Sequence, residues 1–317
     1  MSLDKACMIA IKNCMNVQKN ETVLIVTDNK SRSLGYSLLE AALKLKCEAG
    51  IMEMRERDNH GEEPPGFVAE AIKSAAAVLI PTTKSLSHTD ARRKATEAGS
   101  RIATMPGITE EMMIRTLNAD YYKIARLSNH ISQILTDGAE AYITSPSGTE
   151  ISLCLRGRNG KADTGLLHDI GSFGNLPAGE AMIAPVEGNT HGVFVVDGAM
   201  AGLPTLDNPI VIYINQGCIE QIEGGNSAGQ FKKIIEDTKD PNAKNVAELG
   251  IGTNDKAKLG SSLLEVEKVL GTVHLGFGDS ISMGGKVSAP IHVDGVTQKP
   301  TVKIDGTTII RDGNLCL

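Results

Sequence analysis

The sequence has no tryptophan and few aromatic residues, 3% in all. A platform of rings on which bases or sugars stack is therefore not a mode of recognition open to this chain. Basic residues are also short: 32 Lys and Arg against 38 Asp and Glu give a formal charge of −6. They are scattered and form no run, which argues against nucleic acid as a partner. No apolar run is long enough to cross a bilayer, and the first residues, Met-Ser-Leu-Asp-Lys, lack a signal-peptide pattern. We expect a cytoplasmic protein with no membrane partner. The six cysteines, Cys7, Cys14, Cys47, Cys154, Cys218 and Cys316, include no Cys-x-x-Cys and no histidine at zinc-finger spacing, so they read as reduced and mostly buried. Nucleotide fingerprints are missing too. After the first apolar strand comes Asp28-Asn-Lys-Ser-Arg-Ser-Leu-Gly35, which is neither Gly-x-Gly-x-x-Gly nor a P-loop. Lys30, Ser31 and Arg32 read there as capping and surface residues, with anion binding at a helix start as the alternative.

What is present is alternation. With 317 residues the chain is long enough for two domains. Apolar residues at intervals of three and four from Leu3 to Val17 predict a helix ending near Asn20. Strands are expected at 22–27, 50–54, 77–81 and 101–105, with helices at 34–45, 67–75, 89–98 and 110–117 between and after them. Strands separated by helices of this length imply a parallel sheet covered on both faces. A connecting helix over 121–136 follows. From Glu140 the texture becomes strand-rich, with helices expected at about 227–237 and 260–269. The fold class is therefore α/β: an N-terminal three-layer, Rossmann-like domain over 1–137 without a nucleotide fingerprint, then a strand-rich α+β domain over 138–317.

The stretch most able to carry chemistry is 271–295, GTVHLGFGDSISMGGKVSAPIHVDG. His292 and Asp294 stand two apart in an extended run, so both side chains point to one face. His274 lies in another β-branched run, and a hairpin-like return would bring it alongside. Two imidazoles and a carboxylate suit zinc, cobalt or iron. From this segment alone, a metal pair and a hydrogen-bonded surface pair are equally good readings. Glu248 adds weight, because a carboxylate inside Val-Ala-Glu-Leu-Gly-Ile costs several kcal/mol, roughly, unless neutralised. No Lys or Arg lies within that run. Glu180, at the start of an apolar strand after Pro-Ala-Gly, reads by itself as a surface residue.

In order along the chain, Asn175-Leu-Pro-Ala-Gly-Glu-Ala-Met-Ile-Ala-Pro185, Ala-Glu248-Leu-Gly, Val-His274-Leu-Gly-Phe-Gly and His292-Val-Asp294 resemble the metal-binding motifs of the aminopeptidase T family of dinuclear metallo-aminopeptidases. Ser87-His-Thr-Asp-Ala-Arg-Arg and Ala103-Thr-Met-Pro-Gly match its N-terminal domain more loosely. The resemblance implies that Glu180, Glu248, His274, His292 and Asp294 are metal ligands. It adds Glu267 if a two-residue insertion is allowed. It further implies two divalent ions, zinc or cobalt, a peptide substrate and a homodimer. In that reading two metals bridged by a carboxylate such as Glu248 bind and activate the attacking water, and the free α-amino group is held by one metal or by a nearby carboxylate, for which Asp279 is the candidate. Asp279 reads equally well as a turn residue. The chain departs from the family in length, in carrying Ile281 where a tyrosine is expected, and in continuing His-Val-Asp as Gly-Val. The same motifs also resemble the dihydroxypyridine ring-cleaving dioxygenases, in which two histidines and an aspartate hold one iron. An aminopeptidase is the leading expectation, the dioxygenase the alternative, and a metal-free binding module a third.

Overall fold

The computed structural model describes residues 2–203, 205–260 and 262–317. The chain divides into two compact units, one made of 1–125 and 163–178, the other of 126–162 and 179–317.

In the first unit five parallel strands run in the order Glu48–Met54, Thr22–Asp28, Ala77–Ile80, Arg101–Thr104 and Phe173–Asn175. Side chains alternate across this sheet. Leu24, Val26, Val78, Ile80 and Ile102 cluster with Val68 and Ile72 of helix Gly66–Ser74 and with Ala95 of Asp90–Glu97. On the other face helix Arg32–Lys44 packs so closely that a Cβ on Gly35 would come within 3.0 Å of Thr27. This is the expected three-layer α/β arrangement. The first helix differs from expectation. It is α-helical only over Leu3–Met8, continues as a π-wound turn over Ile9–Cys14, and stops there, six residues short of Asn20. Asn16 and Asn20 adopt positive φ, 48° and 64°, which a continuing helix cannot accommodate. Strand Phe173–Asn175 was not expected. It comes from a segment tied back to the first unit, where Leu167 N donates to Cys14 O at 2.7 Å and Asn175 Nδ2 to Thr104 Oγ1 at 2.9 Å.

The second unit is built from two antiparallel sheets. The larger runs Cys218–Glu223, Ile210–Asn215, Thr190–Val196, Glu150–Cys154, Glu140–Thr144, Thr301–Ile304, Thr307–Arg311, Asn314–Leu315. The smaller runs Ala199–Met200, His292–Thr297, Val273–Gly278, Val246–Gly252, Glu180–Ile183, Lys161–Asp163. One apolar core joins them. It takes Ile143, Ile151, Phe194 and Ile212 from the larger sheet and Ala181, Ile183, Leu249, Ile251, Val273, Leu275, Phe277 and Val293 from the smaller. Helix Asn226–Asp237 contributes Phe231, whose ring centroid lies 5.7 Å from that of Phe277. The helix expected over 260–269 shrinks to Leu263–Val266. Backbone hydrogen bonds turn the next residues back on themselves: Lys268 N donates to Glu265 O at 3.0 Å, and Asn254 N to Lys268 O at 2.8 Å.

Among the described residues no helix is long and apolar enough to cross a membrane. Phe231 is fully buried, so Phe231→Ala is expected to destabilise the protein by about 3–5 kcal/mol. Urea denaturation followed by intrinsic tyrosine fluorescence and circular dichroism measures this.

Candidate metal centre

In the smaller sheet of the second unit, core-facing and outward-facing residues alternate. Leu249 and Ile251, Leu275 and Phe277, Ala181 and Ile183, and Val293 point into the core. Their neighbours Glu248, His274, Glu180, His292 and Asp294 therefore share the opposite face. Register then brings them together, because each has a glycine as a cross-strand partner. Glu248 and Asp294 both pair with Gly276, His274 with Gly250, His292 with Gly278, and Glu180 with Gly252. A Cβ on Gly250 would occupy the position of the His274 ring, and one on Gly276 would stand 2.7 Å from His292 Nε2 and 2.9 Å from Asp294 Oδ1.

Two groups of donor atoms result, Glu180–Glu248–His274 and Glu248–His292–Asp294, each with its members within 4.8 Å of one another. Glu248 joins them: its carboxylate lies 3.4 Å from His274 Nε2 and 3.2 Å from His292 Nε2. His292 Nε2 is also 3.0 Å from Asp294 Oδ1. On the far side of that ring, Nδ1 lies 2.7 Å from the carbonyl oxygen of Asp279. A carbonyl only accepts, so Nδ1 carries a proton and Nε2 is the nitrogen turned to the carboxylates. His274 Nδ1 and Glu180 Oε2 are buried without a hydrogen-bond partner. A buried orphan carboxylate oxygen, Glu180 Oε2, 3.5 Å from His274 Nε2, is what a divalent cation would satisfy, and the donor set fits such an ion.

Protonation follows from this crowding. Burial alone would raise the Glu248 carboxyl, but hydrogen bonds from His274 and His292 hold it well below the usual carboxylate range. Burial pushes His274 down, yet the Glu248 hydrogen bond and the charges of Glu180, Glu248 and Glu267 raise it to about 9. His292 is likewise opposed by burial and held well above its ordinary value by Asp294 and Glu248.

The remaining candidates lie elsewhere. Glu267 joins neither donor group; its carboxylate is 3.1 Å from Lys268 Nζ, and burial pushes its carboxyl up to about 8. Asp279 receives hydrogen bonds from the backbone N–H groups of Ile281 and Ala289, both at 3.2 Å, and so closes the loop between the two histidine strands. Its side chain is a turn residue, while its carbonyl orients His292. Glu180, which by itself read as a surface residue, is buried. Lys268, buried and 2.6 Å from Glu180 Oε1, was missed. Its sequence signal is the lysine next to Glu267, outside the apolar run around Glu248 that holds no Lys or Arg.

A family model described as NicX, 2,5-dihydroxypyridine 5,6-dioxygenase, matches residues 3–317. The chain is similar to the solved 2,5-dihydroxypyridine dioxygenase from Pseudomonas putida KT2440, with a TM-score of 0.82 at 17% identity over 99% of this chain and 96% of that one. It is also similar to AmpT from Thermus thermophilus, with a TM-score of 0.73 at 16% identity over 99% of each chain. No curated protein matches. The shared fold explains why aminopeptidase T motifs are visible, but the family match overturns the expectation of an aminopeptidase, a hydrolase and a protease. The position expected to carry the peptidase tyrosine agrees: Ile281 is exposed on a short 3-10 turn and offers no donor.

A divalent ion must displace the protons that His274 and His292 hold near neutrality. Zinc affinity is therefore expected to rise from pH 6.5 toward about 9, with proton release seen as a buffer-dependent enthalpy in calorimetry. Binding that ignores pH would contradict this arrangement. Gly276→Ala is expected to weaken zinc binding by about 10–100-fold through displacement of His292 and Asp294, as measured in the same titration.

Proposed function

The chain belongs to the 2,5-dihydroxypyridine 5,6-dioxygenase family, and from that membership we propose that it opens the ring of a dihydroxypyridine with dioxygen, using one Fe(II) held by His274, His292 and Asp294. The observation that carries this reading is the convergence of both imidazole Nε2 atoms on Glu248, at 3.4 and 3.2 Å, with Asp294 against His292 at 3.0 Å. Two imidazoles and one carboxylate are the donor set that leaves positions open on non-haem iron. Fe(II) held there would supply the redox chemistry that joins dioxygen to a hydroxylated ring. Both oxygen atoms enter the product of a dioxygenase, so no external reductant is required.

The protein's own residues prepare that encounter. The Asp279 carbonyl fixes the proton of His292 on Nδ1 and so directs Nε2 inward. Glu248 is held ionised between the two rings, where its carboxylate keeps both Nε2 atoms turned to one point. The glycines opposite the ligands leave the imidazoles and carboxylates room to lie against the sheet, where they are held together. Burial of Glu248, His274 and Asp294 keeps bulk water from the reacting atoms.

Protein loaded anaerobically with Fe(II) is expected to consume one dioxygen per 2,5-dihydroxypyridine, with loss of the aromatic absorption. An oxygen electrode and ultraviolet spectroscopy follow the two together. His292→Ala is expected to abolish both. Iron-loaded wild-type protein that leaves every dihydroxypyridine isomer intact would remove the proposal.

A further inference from the structure

Beside the two histidines the fold buries a lysine. The Lys268 side chain is 3% exposed, and its Nζ lies 2.6 Å from Glu180 Oε1 and 3.1 Å from Glu267 Oε2. Its place is set by a close backbone approach. Gly252, the cross-strand partner of Glu180, has no Cβ, and one added there would strike the carbonyl of Val269 and stand 2.9 Å from Glu267 O. The missing side chain thus lets residues 267–269 pass close over the strand at the position paired with Glu180.

Glu180 faces two ways. Through Oε1 it accepts from Lys268, while Oε2 lies 3.5 Å from His274 Nε2 and has no hydrogen-bond partner. It is also the first member of the donor group Glu180–Glu248–His274. That group is complete as a cation site, but one of its carboxylates is already engaged by an ammonium. An ammonium and a divalent ion compete for the same carboxylate charge, and each would repel the other at this spacing.

We propose that Lys268 is a built-in counter-cation that stands in for a second divalent ion, so that the centre accepts one ion where its donor groups would otherwise hold two. The inference rests on the one-ion reading given above. Lys268 is a specificity-determining residue for metal number: its ammonium is paired with Glu180 and Glu267, neither of which is a proposed iron ligand. Removing its charge leaves the buried Glu180 and the half-buried Glu267 without the ammonium between them. A second divalent ion in the group Glu180–Glu248–His274 then becomes what satisfies Glu180.

The test counts ions and does not use turnover. Metal-free protein is titrated with zinc in a calorimeter, and bound zinc is measured after gel filtration. Wild type and Lys268→Arg are expected to hold one zinc per chain. Lys268→Met is expected to hold two, to melt at a lower temperature than wild type when metal-free, and to recover only when the second equivalent is bound. Two zinc ions of comparable affinity in the wild type would overturn the proposal, as would a folded Lys268→Met that still holds one. If Lys268→Met does not fold metal-free, it is refolded in excess zinc and counted. Two ions, or failure to fold with zinc while wild-type cobalt spectra saturate at one equivalent, support the proposal. One ion in the refolded variant, or wild-type cobalt spectra that saturate only at two equivalents, overturns it. A chain that behaves as expected here yet consumes no oxygen with any dihydroxypyridine loses the dioxygenase reading and keeps this one.

Discussion

The centre depends on a steric constraint that belongs to the backbone: ligand-bearing residues face glycines across the strands of a small antiparallel sheet. Gly276 lies opposite both Glu248 and Asp294, and Gly250 opposite His274. Cross-strand side chains on one face stand only about 5 Å apart. Any side chain at Gly250 or Gly276 would therefore occupy the space that the imidazoles and carboxylates use. Glycine in a strand interior lowers intrinsic strand stability. The apolar core on the reverse face of the same strands, where Leu249, Ile251, Leu275 and Phe277 are buried, offsets that loss.

The same sheet solves an electrostatic problem. Four carboxylates, Glu180, Glu248, Glu267 and Asp294, lie close together with little access to water. Like charges so placed must be protonated or neutralised. The structure uses several devices at once: imidazoles raised toward the charged form, a carboxyl at Glu267 raised to about 8, and the ammonium of Lys268. The loop between the histidine strands is fastened from outside. Arg158 pairs with Glu187 and donates to Gly284 O at 2.7 Å, while Lys161 Nζ donates to Ser282 O at 2.6 Å. Fixing this loop fixes the Asp279 carbonyl, and through it the orientation of His292.

A common scaffold with divergent chemistry explains why motif resemblance pointed in two directions. Solved proteins of both kinds share this fold at 17% and 16% identity, and the ligand-bearing strands are what the motifs record. What separates the readings lies beside those strands. Ile281 sits on an exposed turn in place of a phenol. Fold and site follow from residues held in register, whereas the reaction depends on a few neighbours that register does not specify.

The sequence by itself determined the alternation of strands and helices in the first half, the change to antiparallel strands near Glu140, and the shared face of His292 and Asp294. These are local consequences of period-two and period-3.6 patterning, which a chain carries in its own order. It also presented Glu180, Glu248 and His274 as candidates, through motifs rather than geometry. Only the tertiary structure decided that strand Phe173–Asn175 returns to the first sheet, that the helix before Lys268 covers only Leu263–Val266 among the described residues, and that Lys268 stands against Glu180. Each of these depends on a contact between residues far apart in the chain. The spacing from Glu180 to Lys268 is 88 residues, and no periodicity reports a pairing of that kind. The approach is made possible by the absence of a side chain at Gly252, a feature that in sequence is only one glycine among 33.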